Sequence, residues 1–386
     1  MTTPIIIVGG GPVGAVLALL LAKAGLEVQI LEARPQGASH GDQRALALSF
    51  GSRRILEKLG LWQTLSAVAT SINTIHVSQK GSLGRALLKA DDYNQEALGY
   101  VLAYGALSAV LEEALAKLPN VKTQFNATAE HIYQDDVIAS VSYRDQNKEA
   151  FLLESPLVVL ADGGRSIDQL ANLDRNSKEY GHDALVTKVE AELPHNNVAY
   201  ERFTTAGPMA LLPNGKRAFS LVWTGNKDLV ASLLTLSDES FLTQFHKEFG
   251  DRVGKFLSVE KRMTFPLRMS SLEENLTPHL VVIGNAAQTM HPVAGQGFNV
   301  GLRDAESLAS HVASNQESLG SLAMLQAYQA SRKRDTKGGL IFTDFLVNTF
   351  SNDLLGLSGL RSAGLGLLDV LTPIKKHLVS KMSFGK

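Results

Sequence analysis

The 386-residue sequence contains no cysteine. Disulfides, thiolate nucleophiles and thioether attachment of a cofactor are therefore excluded, and a reducing cytoplasm suits the chain. Charge of either sign is not in excess. Lys and Arg number 37, Asp and Glu 38, and the formal net charge is -1. No global field recruits nucleic acid or an acidic surface. The ten histidines are scattered, without metal-ligand spacing. No carboxylate pair and no Ser/His/Asp set is identifiable, and internal repeats are absent. No positive charge precedes the apolar run from Ile5 to Ala22, which speaks against a signal peptide. That run is long enough to mimic a membrane span, but Gly9-Gly10-Gly11-Pro12 interrupts it, so strand, turn and buried helix explain it better. What the chain does have is 45% hydrophobic content, ample for a sizeable core, and a length that points to two domains.

The interruption is informative. Ile5-Ile6-Ile7-Val8 reads as a buried strand that runs into Gly9-Gly10-Gly11-Pro12-Val13-Gly14, with a helix starting at about Pro12. Gly9 permits the turn, Gly11 lets a pyrophosphate approach the backbone, and Gly14 lets helix and strand pack closely. Free N–H groups at the helix start then face the phosphates. The next apolar run, Val28 to Leu31, ends on Glu32, where a carboxylate would accept from an adenosine ribose. This motif alone fits NAD and FAD equally.

Two further stretches fit it. Leu157 to Leu160 reads as a buried strand delivering Asp162-Gly163-Gly164-Arg165-Ser166. Leu280 to Ile283 reads as another, delivering Gly284-Asn285-Ala286-Ala287-Gln288-Thr289-Met290-His291-Pro292 and then Gly295-Gln296-Gly297-Phe298-Asn299, where a long helix begins near Phe298 and runs to about Ser314. Between them, Tyr100 to Leu118 carries leucines at helical spacing, and Val121 to Tyr143 alternates like antiparallel strands with a turn at Asp135-Asp136. Residues 175 to 270 read as strands and loops, with one helix-like piece near Glu239 to Glu248. Residues 341 to 386 place Phe342, Phe345, Leu346, Thr349 and Phe350 on one helical face and end in cations without an acid after Asp369. Such a composition serves an interfacial segment, a partner contact or a helical pair packed on the chain's own core.

With these stretches in view, the chain resembles the flavin-dependent aromatic hydroxylases of the p-hydroxybenzoate hydroxylase type. Within them it is most similar to the ubiquinone-biosynthesis branch, the hydroxylases of 2-polyprenyl-6-methoxyphenols. Asp42-Gln43-Arg44-Ala45-Leu46-Ala47-Leu48-Ser49, Leu98-Gly99-Tyr100-Val101, Gly207 to Pro213 and Val222-Trp223-Thr224 carry the likeness along nearly the whole chain. Asn285 stands where the wider family has Asp, and keeps a carbonyl acceptor without the charge. Tyr104 and the segment Ile167-Asp168-Gln169-Leu170 depart from relatives that often have arginine, or at residue 104 glutamine, and no role carries over to them.

The resemblance implies an α/β fold: a Rossmann-like FAD-binding domain with an inserted β-rich substrate domain and a helical C-terminal tail. The flavin domain would comprise residues 1–70, 99–175 and 275–340, the substrate domain 71–98 and 176–274, and the tail 341–386. It implies FAD as cofactor, NAD(P)H as co-substrate and a polyprenylated phenol as substrate, hydroxylated with O2 through a flavin C4a-hydroperoxide. With one glycine fingerprint, NAD(P)H would dock transiently instead of on a Rossmann domain of its own. The expected cofactor-binding residues are Gly9, Gly11, Gly14, Glu32, Arg44, Asp162, Gly163, Asn285, Gly295, Gln296, Gly297, Phe298 and Asn299. Pro292 and Gly295 would shape the flavin environment, His291 reads as a turn histidine, and no base is assigned. No metal and no nucleic acid is expected. The tail would give peripheral contact with the inner membrane or with a quinone-biosynthesis complex of an otherwise cytoplasmic protein. Two other readings stay open: a different flavoprotein monooxygenase or reductase on this scaffold, and a non-catalytic scaffold subunit.

Overall fold

Four residues buried on both faces form strand β1 (Ile5–Val8), as expected inside a parallel sheet. The glycines release the chain into helix α1 (Pro12–Lys23), with Pro12 in the first turn, where its missing N–H is no loss. There follow β2 (Val28–Glu32), β3 (Ala45–Ser49), α2 (Phe50–Lys58), α3 (Trp62–Ser66), β4 (Thr70–Ile72), β5 (Thr74–Gln79), β6 (Arg85–Lys89), β7 (Gly99–Ala103) and α4 (Tyr104–Ala116). Strands β8 (Val121–Phe125), β9 (Thr128–Gln134), β10 (Ala139–Arg144), β11 (Ala150–Ser155) and β12 (Val158–Leu160) come next. Then come β13 (Arg175–Ala191), β14 (Val198–Thr204), β15 (Gly207–Pro213), β16 (Ala218–Asn226), α5 (Lys227–Thr235), α6 (Asp238–Phe249), β17 (Phe256–Val259) and β18 (Met263–Leu272). The last named elements are β19 (Leu276–Thr277), β20 (Leu280–Val282), β21 (Gln288–Thr289) and α7 (Gln296–Ser314), followed by helical residues 322–333. This computed structural model describes residues 3–81, 84–167, 170, 173, 175–204, 207–289, 296–333 and 380.

Two sheets dominate a mixed α/β architecture. A six-stranded sheet has the order β19-β20-β12-β1-β2-β8, parallel except where β19 meets β20. Helices α1, α4 and α7 bury their apolar faces in the core on one side of it. The smaller β9-β10-β11 sheet packs on the other side. A nine-stranded sheet runs β21-β18-β13-β16-β15-β14-β5-β6, with β17 also paired to β13. Phe241, Phe245 and Phe249 recur every fourth residue of α6. They join Trp223 and Phe256 in an aromatic core over one face of this sheet, with the Phe245 and Phe256 rings 4.4 Å apart. The opposite face meets a three-stranded sheet, β3-β7-β4, through Ile72, Val101 and Ala199.

The alternation from Val121 to Tyr143 conceals a change of sheet. β9 and β10 pair antiparallel about the Asp135-Asp136 turn as expected, but β8 lies parallel to β2, Val28 opposite Val121. Alternation reports a half-buried strand and is silent on the direction of its neighbour. The stretch read as helical from Tyr100 begins as strand β7, where Gly99 to Leu102 are all buried. A short apolar run of that kind cannot be told from a buried helix by period. Helix α5 escaped the sequence reading; its signal was Asn226, whose side chain caps it by accepting from Leu229 N at 2.8 Å.

Candidate functional site

The three glycine-bearing stretches meet at the start of α1. Gly9 has φ +106°, and a Cβ there would lie 2.7 Å from the backbone of Ala161 and Asp162, so only glycine lets the first turn press against the second. On the other side, Val13 is held between Gly284 and Gly301, where added Cβ atoms would come within 3.2 Å and 2.9 Å of its methyl groups. A Cβ on Gly14 would sit 2.1 Å from Gly9 O, which enforces the close helix–strand contact. Gly11 differs from these. Its nearest neighbour would be Tyr104 Oη at 3.8 Å, so the space before it is open. α1 has no side-chain cap and no acid in its first turn. Its N–H groups and the positive end of the helix dipole therefore address that opening, which is the chemistry of an anion cradle.

Glu32 closes one wall. It is buried, with Oε2 accepting from Gly10 N at 2.8 Å. Arg34, which the sequence reading passed over, clasps it: Oε1 accepts from Arg34 N at 2.9 Å and Nε at 2.8 Å, and Oε2 from Nη2 at 3.2 Å. Burial pushes this carboxyl up, but the Arg34 and Gly10 bonds outweigh it and hold the group below its ordinary 4.5. All four lone-pair directions are occupied, so any further donor to Glu32 would have to displace one of them, the longest being Arg34 Nη2. Glu32→Ala is expected to weaken FAD retention by about 1–3 kcal/mol, measured by flavin release on dilution. The sign for pH follows from a lowered folded value. Glu32's contribution to stability is present above 4.5 and is lost as pH falls through the folded value, so wild type and variant converge in melting temperature only in acid.

Arg44 is exposed and paired with Asp42, Nε to Oδ2 2.9 Å. Its guanidinium lies 5.3 Å from the Tyr104 ring centroid and 5.9 Å from that of Phe265 on β18, which joins the glycine turn to the nine-stranded sheet. Asp162 spends its carboxylate on its own turn: Oδ1 accepts from Gly164 N at 2.9 Å, and Oδ2 from Ser166 N at 2.8 Å and Ser166 Oγ at 2.6 Å. Gly163 and Gly164, at φ +76° and +92°, make that turn possible. Asn285 is exposed in a short 3-10 turn after β20. Gln296, Gly297, Phe298 and Asn299 open α7. Phe298 packs on the core beneath the six-stranded sheet. The buried Asn299 side chain accepts from Ser49 N at 2.8 Å and Ser52 Oγ at 2.7 Å and donates to Ala47 O at 2.9 Å, so it ties α7 to β3 and α2. His291, Pro292 and Gly295, and the tail at 341–386, lie outside the described residues.

Sequence reasoning also missed a buried network behind the third stretch. Asp304 on α7 accepts from Arg332 Nε at 2.8 Å, Gly284 N at 3.2 Å and Gln288 Nε2 at 3.3 Å. A charged residue on the inner face of an apolar helix was the available signal, but its partner lies beyond the helix end and no spacing rule points to it.

The FAD binding domain family model matches residues 2–339. The ubiquinone hydroxylase UbiL of Rhodospirillum rubrum is 34% identical, over 99% of this chain and 90% of its own. The 3-demethoxyubiquinol 3-hydroxylase of Escherichia coli K12 is 29% identical, over 94% of each chain. Among solved structures, p-nitrophenol 4-monooxygenase PnpA from Pseudomonas putida DLL-E4 superposes with a TM-score of 0.82 at 20% identity, covering 99% of this chain and 98% of its own.

Proposed function

The chain belongs to the FAD binding domain family and is an FAD-dependent aromatic hydroxylase, and from that premise we propose that it hydroxylates a polyprenylated phenol ring in ubiquinone biosynthesis, with NAD(P)H and O2 as co-substrates. The observation that carries the flavin chemistry is the convergence of three distant stretches on an open, uncapped helix start. The names of the 34% and 29% identical relatives support the phenol and the pathway. The residues present fit the cofactor: a Cβ on Gly11 would enter the open space, while Gly9 and Gly14 admit none.

In this reading Gly11 and the first N–H groups of α1 hold the pyrophosphate, Glu32 the ribose, and Arg44 leaves Asp42 to approach the phosphates. Asp162 and Gly163 keep the second turn in shape, Asn285 accepts from the ribityl chain, and Gly295 together with the start of α7 from Gln296 to Asn299 serves the pyrimidine edge, the helix offering its positive end. Pro292 shapes the space beside the ring. When bound, FAD supplies two-electron transfer from NAD(P)H and delivery of one atom of O2 to the ring, the other leaving as water. The protein's part is to bind, orient and exclude water. The division into a flavin domain (1–70, 99–175, 275–340) and a substrate domain (71–98, 176–274) belongs to this proposal. So does membrane or partner contact through residues 341–386. Among the described residues no helix is long and apolar enough to cross a membrane.

The test is direct. Purified protein is expected to be yellow, to release intact FAD on denaturation, and to oxidise NAD(P)H at least tenfold faster with a 2-polyprenylphenol present, yielding one hydroxylated ring per NAD(P)H. Bound FAD without phenol-stimulated oxidation would point instead to a scaffold subunit or a different flavoenzyme.

A further inference from the structure

The face of the nine-stranded sheet away from the aromatic core is not sealed. Registers place Val77, Glu201, Ala210, Val222 and Val186 in one row across β5, β14, β15, β16 and β13. Every one of them keeps part of its surface accessible, while Leu185, Leu211, Leu221 and Trp223, on the other face of the same strands, are fully buried. On one side of the open row, Ile75, Ala199 and Leu212 pack against β3, β4 and β7. On the other side stands Phe265, opposite Ala184, whose ring neighbours Arg44 beside the glycine turn. An apolar row, partly accessible, bounded on one side by packed residues and on the other by Phe265 beside Arg44, is the kind of surface that can line a substrate site next to the cofactor cradle. Glu201 is the one ionisable side chain in that row.

Resting on the phenolic substrate proposed above, we infer that Glu201 pairs with the ring hydroxyl of that phenol and so fixes which ring carbon faces the cofactor. The wall matches such a ligand: aliphatic along the row, with a single polar group to meet a single hydroxyl. Protein surrounds Glu201 deeply although some of its area remains accessible, so a ligand laid along the row would reach its carboxyl. Its facing neighbours carry no charge. Val77 lies opposite on β5, Ala210 on β15, and Ala199 and Phe203 precede and follow it on the same face of β14. Arg202, next in sequence, points to the other face, where it donates to Glu248 O and Ser78 Oγ. Burial unopposed by any counter-charge pushes the Glu201 carboxyl up to about 8. At neutral pH it is therefore largely protonated, with both a donor and an acceptor to offer a hydroxyl, and it becomes a stronger acceptor as pH rises through 8.

The FAD-loaded protein would be titrated with 2-prenylphenol and with its methyl ether, following the absorbance of bound flavin, for wild type, Glu201→Gln and Glu201→Leu. Wild type is expected to bind the phenol about tenfold or more tighter than the ether, the scale of one buried hydrogen bond. That preference should grow between pH 6.5 and 9. Glu201→Gln keeps donor, acceptor and shape, so it should hold the preference at pH 6.5 within about threefold and lose its pH dependence. Glu201→Leu should bring phenol and ether to parity and scatter the position of hydroxylation, with NAD(P)H oxidation partly uncoupled from product. A Leu variant that retains the phenol preference overturns the inference. Should that variant fail to fold, a Gln variant whose preference still turns near pH 8 overturns it equally. A wild-type protein that takes up FAD but binds neither probe overturns the phenolic reading, and this inference with it.

Discussion

Gly11→Val protein is expected to purify folded and colourless. The two halves of that result come from different contacts. At Gly11 a Cβ would meet only Tyr104 Oη, at the ordinary separation of 3.8 Å, and the backbone, at φ -63° and ψ 172°, is open to any residue. Without cofactor, then, the melting temperature should lie close to that of flavin-stripped wild type, since a substitution free of strain or burial changes stability by about 0.5 kcal/mol or less. The branched side chain nevertheless occupies the space in front of the uncapped N–H groups, and a diphosphate cannot reach them through it. FAD affinity should fall by more than 100-fold, or about 3 kcal/mol or more. Gly14→Val is the contrast. Its Cβ would collide with Gly9 O at 2.1 Å, a backbone atom that cannot rotate away, so this variant should fail to accumulate as soluble protein at all. Full flavin content in folded Gly11→Val would place the pyrophosphate elsewhere.

The second large effect concerns stability. Asp304→Ala should destabilise the protein by about 3–5 kcal/mol, the usual cost of removing one partner from a buried ion pair. The Asp304 and Arg332 side chains are only 4% and 12% exposed, so the guanidinium left behind has little water to turn to. Gly284 N and Gln288 Nε2 lose their acceptor in the same substitution. Because those two groups belong to the segment carrying Asn285, cofactor retention should drop as well. Urea unfolding of the flavin-free protein separates the two effects. Lys117→Ala serves as control: its i,i+4 pair with Glu113 is about 70% exposed on both sides and should be worth no more than about 0.5 kcal/mol. Equal loss in the two variants would mean that Asp304 is not held as the distances indicate.

Much of the nucleotide-binding half was legible from residues alone. β1, β12 and β20 are short apolar runs, and each ends on a glycine turn, so strand, turn and purpose were written together. α1 and α7 were legible because glycine and proline marked their starts. What stayed hidden depends on partners distant in sequence. The parallel seating of β8 beside β2, the Arg34 clasp and the Asp304–Arg332 pair leave no period or spacing to detect. Asn299 shows a subtler limit. Its place at the start of α7 suggests cofactor contact, which falls to its backbone, because Ser49, Ser52 and Ala47, more than 240 positions earlier in the chain, engage its side chain. Glu201 was unreadable for a similar reason. In sequence it is one charge between Tyr200 and Arg202, and only the register of the surrounding strands reveals that it stands alone on an apolar wall.

The clasp of Val13 between Gly284 and Gly301 also sets a timetable for biosynthesis. β1 emerges first from the ribosome, yet its neighbour β12 comes about 150 residues later and β20 about 270 later. Until then β1 can pair only with β2, and its other edge stands open as a template for the wrong strand. At translation speeds of about 5–20 residues per second, that exposure lasts from about 8 to about 30 seconds, until β12 arrives, and the outer edge of β12 then waits for β20. The third wall of the cradle is finished only when residue 301 has left the tunnel, so the proposed dinucleotide site is complete only once all three stretches have emerged. For production in a foreign host, chaperone supply during elongation should therefore limit yield before cofactor supply does.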